Sequence, residues 1–270
     1  MKNLKTLRAL LVIGALLSLN ALNAAEGDSK SKGGQGSSIK DNGFYSGDKS
    51  ISLTSDGEIV YLADGKEVMR GGCIIRTDFS ENLISPHKGT ARKQNLEVNE
   101  KAGTITFKSE FPLNKGELND GNSFGLYKCA LTELPDKRIK LEINIEIPDA
   151  KRKPAFIGTS SLLFKLPFVC CQGKSFSVNS EKYMFTGEGK ASTDANVLYS
   201  DTAAKNFVFT PEDLKTQFKI EIESCKSLVV KERLLNNWEG PKVYMDITAS
   251  PEGKITLIFD LGSANTESGK

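Results

Sequence analysis

His87 is the single histidine and Trp238 the single tryptophan in 270 residues. One histidine rules out an H-E-x-x-H zinc motif, and no Cys-x-x-Cys pair is present to build a thiolate site. There is no G-x-S-x-G elbow and no G-x-x-x-x-G-K-[ST] loop, which removes the nucleophile-elbow hydrolases and the P-loop nucleotide binders. The nearest glycine-rich stretch, GEGKAS at 187–192, lacks the third glycine of a dinucleotide fingerprint and reads as a loop. No N-x-[ST] acceptor occurs. Basic residues form no block longer than KRK, Lys151–Lys153, beside Pro154, so nucleic acid is not an expected partner. No cofactor and no metal site are expected.

Long apolar runs are also missing. The longest, ALLVIGALLSL at Ala9–Leu19, is well short of the about 20 residues needed to cross a bilayer. Preceded by Lys2, Lys5 and Arg8 and followed by the small residues of NALNAA, it has the layout of a secretory signal peptide over residues 1–25. An exported protein, periplasmic or extracellular, with no membrane span after cleavage is the expectation. Without those residues the balance is 33 basic to 34 acidic side chains, so the basic pI belongs mostly to the leader.

Residues 26–43, EGDSKSKGGQGSSIKDNG, hold one bulky apolar residue, Ile39, and cannot bury enough surface to offset their ordering entropy. A flexible tether is expected there, and a loose tail at 263–270. The about 220 residues between, 44–262, are read as a single domain, since no linker-like break interrupts them.

Within that span the dominant pattern is strict alternation. KLEINIEI places Leu141, Ile143, Ile145 and Ile147 on one side and Lys140, Glu142, Asn144 and Glu146 on the other. QFKIEIES, KVYMDITAS, GTITFKSEF and KITLIFDLG repeat the pattern. Asp56-Gly57 and Asp64-Gly65 suit the positive backbone angles of hairpin turns. The only helical candidate is the short TPEDLKTQF from Thr210, with Thr210 as cap and Pro211 in the first turn. About 14 to 17 short strands with little helix predict an all-β fold, a large antiparallel two-sheet sandwich. Charges closely spaced on the polar faces argue against an outer-membrane barrel, whose lipid-facing band is apolar.

Five cysteines, Cys73, Cys129, Cys170, Cys171 and Cys225, are an odd number for an oxidising compartment. A bond within the 170–171 doublet violates ordinary disulfide geometry. Neighbouring side chains of a strand face opposite ways, so one cysteine of the doublet is expected in the core and the other is at most a partner for Cys129 or Cys225.

Chemistry-bearing residues are scattered. His87, in SPHKG, is the one candidate imidazole acid or base, in a turn where a surface role is the plainer reading. Asp78, Glu188, Glu232, Glu239 and Asp246 are candidate carboxylates for a hydrolytic pair, with nothing in the sequence to choose among them. A sugar platform needs flat aromatic rings with planar hydrogen-bonding neighbours. ERLLNNWEGPKVY, residues 232–244, supplies Arg233, Asn236, Asn237, Trp238, Glu239 and Tyr244 in one loop-like stretch; Tyr127 and Tyr183 are lesser candidates.

DGEIVYLADGKEVMRGG, followed by alternating strands through to GKITLIFDLG, resembles the supersandwich, galactose-mutarotase-like domains of secreted bacterial carbohydrate-active proteins over roughly residues 44–262. The resemblance implies a large β-sandwich and a carbohydrate partner. Mutarotases of that family work with histidines and a glutamate, whereas this chain has His87 alone, so no catalytic residue carries over and a binding or accessory role is expected. An enzyme on the same scaffold, and a cell-envelope interaction module, are the rival readings.

Overall fold

In a computed structural model the described residues are 38–76, 83–84, 92–113, 124–148, 150, 157, 160–167, 171–186, 196–209, 217–234 and 241–262, all within one compact unit spanning 35–270. They form nineteen strands in two antiparallel sheets. In spatial order the first sheet is β1 (Ser38–Lys40), β2 (Gly43–Ser46), β3 (Lys49–Leu53), β4 (Ile59–Ala63), β5 (Lys66–Arg76), β11 (Ser161–Pro167), β18 (Pro241–Thr248), β17 (Ser227–Leu234) and β14 (Asn196–Asp201), with β6 (Leu83–Ile84) on β5. The second is β13 (Glu181–Met184), β12 (Ser175–Val178), β15 (Asn206–Phe209), β16 (Phe218–Ser224), β19 (Lys254–Phe259), β10 (Ile139–Glu146), β9 (Phe124–Glu133), β8 (Thr104–Pro112) and β7 (Arg92–Asn99).

The all-β two-sheet expectation holds. The strand number exceeds it because β1 and β6, three and two residues long, are too short to show alternation. β1 lies inside the stretch expected to be tether. Ile39 packs against the core and pairs with Phe44 across a turn whose Asp41 and Asn42 take positive φ, so pairing begins at Ser38. Both predicted Asp-Gly turns are present: Asp64 and Gly65 have φ of 50° and 70°, and Gly57 has φ 82°. The short helix proposed from Thr210 falls largely outside the described residues.

One core lies between the sheets, drawing on alternate residues of nearly every strand. Leu162, Phe164 and Leu166 of β11, Val243, Met245 and Ile247 of β18, and Leu228 and Val230 of β17 face Ile105, Phe107, Leu141, Ile143 and Leu257 of the second sheet's strands as parts of one cluster. Side-chain period two makes this face all or nothing, because a one-residue slip would send the whole set to water. Gly71 admits β11 closely: a Cβ there would run into the Leu163 carbonyl oxygen and lie 2.8 Å from Phe164 Cα.

Cys73, Cys129 and Cys171 are buried and Cys225 is half-buried, and no disulfide joins these four. The expectation of one core cysteine in the doublet fits Cys171, but the residue follows β11 in a turn closed by Lys174 N–H donating to its carbonyl, not in a strand. Pairing to Cys129 or Cys225 is absent, and Cys170 and Phe168 lie outside the described residues. Burial pushes the Cys129 thiol up to about 12, against a smaller lowering by its hydrogen bond with Tyr127, and raises Cys73 further. The thiolate is the reactive form, so these thiols are inert near neutrality. Native protein treated with a maleimide at pH 7.5 is expected to label at Cys225 well before Cys73 or Cys129, read by peptide mass mapping; equal rates at all three would contradict a closed core at β5 and β9.

Candidate functional site

Chain direction and register place the predicted platform residues unequally. Asn236, Asn237, Trp238 and Glu239 lie outside the described residues, as do His87, Asp78 and Glu188. Arg233 is in β17, paired in register with Lys242, and Tyr244 is in β18. Of the lesser candidates, Tyr127 is corrected: it is a core residue only 1% exposed, beside Phe107, because its position on β9 has core parity. Tyr183 is half-buried between the rings of Phe176 and Tyr199, at 5.4 and 5.2 Å, with its hydroxyl donating to Glu181.

Two of the five candidate carboxylates are described, and they sit on opposite faces of the first sheet. Glu232 pairs with core-facing Val243, Asp246 with Val229 and Leu163 on the far side. They do not form a hydrolytic pair, which needs both carboxyl groups across one cleft.

Glu232 is fully buried. Thr186 Oγ1 donates to its Oε2 at 2.6 Å, and Asn196 Nδ2 reaches the same oxygen at 3.3 Å and Thr186 Oγ1 at 3.1 Å. Thr186 follows β13 of the second sheet and Asn196 opens β14 of the first, so Glu232 draws both sheets together where the apolar core runs out. A buried carboxylate is tolerable only with such donors.

The far face of the first sheet carries the other described candidate. One row crosses five strands in register: Val60 of β4, Arg70 of β5, Lys165 of β11, Tyr244 of β18 and Lys231 of β17. Among the described apolar residues of this sheet, Val60 and Tyr244 are buried, 6% and 4% exposed, without belonging to the inter-sheet core. The next row holds Leu163, Asp246 and Val229, the two apolar residues half-buried. Lys231 Nζ reaches Asp246 Oδ2 at 3.1 Å, while Asp246 Oδ1 is buried without a donor. Arg70 is held by Glu67 and Glu58, at 2.8 and 3.2 Å, which keeps its guanidinium above its ordinary value, the hydrogen bond to Glu67 being the main cause. Aromatic, aliphatic and charged groups are thus mixed on one strip of this face. Sequence reading found Tyr244 and Asp246 but not Lys165, Lys231 or Arg70, because their grouping depends on registers between strands far apart in the chain.

A concavity of ≈ 220 Å³ lies on the far face of the second sheet, lined by the Lys128, Ala130, Glu142, Asn144, Lys254 and Thr256 side chains and by Ile143. Two of its side chains turn to neighbours along their own strand, Glu142 to Lys140 at 3.1 Å and Asn144 to Glu146 at 2.8 Å.

By sequence, no protein-family model and no curated protein matches the chain. Among solved structures, twelve chains match. The chain is similar in fold to a galactose mutarotase-like protein from Lactobacillus casei ATCC 334. The TM-score is 0.50 at 8% identity, over 81% of this chain and 98% of that one. The likeness supports the resemblance drawn from the hairpin motifs and the alternation, at the level of fold. No helix among the described residues is long and apolar enough to cross a membrane.

Replacing Thr186 by valine removes the shorter hydrogen bond to Glu232 and leaves a buried carboxylate under-satisfied. It is expected to cost about 1–3 kcal/mol in urea unfolding, whereas a change below about 0.3 kcal/mol would show that Glu232 does not depend on Thr186.

Proposed function

We propose that the protein is an exported carbohydrate-binding accessory β-sandwich, whose ligand lies along the far face of the first sheet and against the loop that joins β17 to β18. The observation that carries this reading is the in-register strip that sets Arg70, exposed Lys165 and Lys231 beside half-buried Leu163 and Val229, with Tyr244 packed among them outside the core. Pyranose rings present one apolar face and a rim of hydroxyls, and they favour recessed surfaces that mix rings and aliphatic groups with a few fixed polar atoms. Trp238, Asn237 and Glu239 stand seven or fewer residues from Tyr244 in the sequence and supply further groups of the same kind. The fold likeness to a galactose mutarotase-like protein supports the reading by analogy of scaffold alone. Export rests on the leader-like N-terminal pattern.

A binding role is favoured over catalysis because the two described carboxylates of the hairpin are divided between faces. Native affinity electrophoresis through gels containing a panel of neutral and acidic polysaccharides tests it. Wild-type protein is expected to be retarded by at least one of them, and Trp238→Ala to lose most of that retardation with an unchanged melting temperature. Unretarded migration through every gel would contradict the proposal, as would a Trp238→Ala protein indistinguishable from wild type.

A further inference from the structure

We infer that the ligand taken by this strip is an acidic sugar, a uronate residue whose carboxylate is held by Lys165, the cation of the row that no described carboxylate already meets. The inference rests on the carbohydrate reading above and assigns its chemical class.

The argument begins with charge compensation along the row. Arg70 has Glu67 and Glu58, and Lys231 has Asp246. Lys165, placed between Arg70 and Tyr244, is exposed and makes no ion pair among the described residues. Arg70 is its direct cross-strand neighbour on β5. Arg70 is already met by two carboxylates, so Lys165 is the cation of this row left without a counter-charge among the described residues. An anion bound over Lys165 would supply it.

The surroundings of Lys165 match the rest of a uronate. Leu163 lies two residues before it on the same face, and Val229 is on the far side of Asp246; both are half-buried and apolar, suited to the C–H face of a ring. Tyr244, directly opposite Lys165 and only 4% exposed, is packed among its neighbours and fixes the strip from within. A neutral sugar would use the apolar groups but leave Lys165 without a counter-charge. A simple inorganic anion would use Lys165 but none of the apolar groups.

Isothermal titration with short oligomers of galacturonate, glucuronate and mannuronate, beside neutral galactose and glucose oligomers of equal length, tests the inference at low salt. The expected result is at least tenfold tighter binding of one uronate oligomer than of its neutral counterpart. That preference should collapse in Lys165→Gln, survive in Lys165→Arg, and be unaffected by Lys254→Gln on the opposite sheet. Equal affinity for acidic and neutral oligomers, or an acidic preference untouched by Lys165→Gln, overturns the inference while leaving a carbohydrate ligand in place. Binding of no oligomer of either kind overturns both readings together. Retention of uronate preference in Lys165→Gln with its loss in Lys254→Gln moves the site to the second sheet and also overturns the inference.

Discussion

Everything in this molecule follows from the period of two along its strands. One face of each sheet is committed to a common apolar core, and that commitment sets the register of every neighbouring pair. Register in turn decides what meets on the faces turned away from the core. Arg70, Lys165, Tyr244 and Lys231 come from four strands and span 175 positions of the chain, yet they align because Gly71, Phe164, Met245 and Val230 beside them align in the core. The strip is a by-product of the packing only in its placement. Its composition, an uncompensated lysine beside a buried tyrosine, is not what core packing demands.

The two faces of hairpin β17–β18 show how polar groups are managed when the core stops. Toward the interior, Glu232 is stripped of solvent and held by Thr186 and Asn196 from the two sides of the sandwich. Toward the exterior, Lys231, one residue earlier, projects the other way and neutralises Asp246. Adjacent residues therefore have unrelated tasks, one closing the sandwich and one shaping the strip.

Much of the fold was legible in the sequence, since alternation in KLEINIEI or KVYMDITAS and the Asp-Gly turns are local signals that tertiary context reinforced. β1 escaped notice because a single isoleucine among Gly, Ser and Lys gives no periodic signal, although Ile39 suffices to dock three residues on β2. The cysteine doublet was placed in a strand because an apolar run precedes it, whereas β11 ends at Pro167 and Cys171 enters a turn. Of the site, Tyr244 and Asp246 were visible as residue types, but their separation from Glu232 by sheet face needed the register. Lys165 and Arg70 looked like any solvated charge until their cross-strand neighbours were known.

Hydrogen–deuterium exchange of the full chain, with and without a saturating uronate oligomer, tests most directly whether the first sheet's far face is the ligand surface. Slowed exchange confined to peptides covering 163–167, 229–231 and 242–246, together with the 235–240 segment, is the predicted result. Protection appearing instead over 128–144 and 254–256 of the second sheet, or no protection anywhere at saturation, would contradict it.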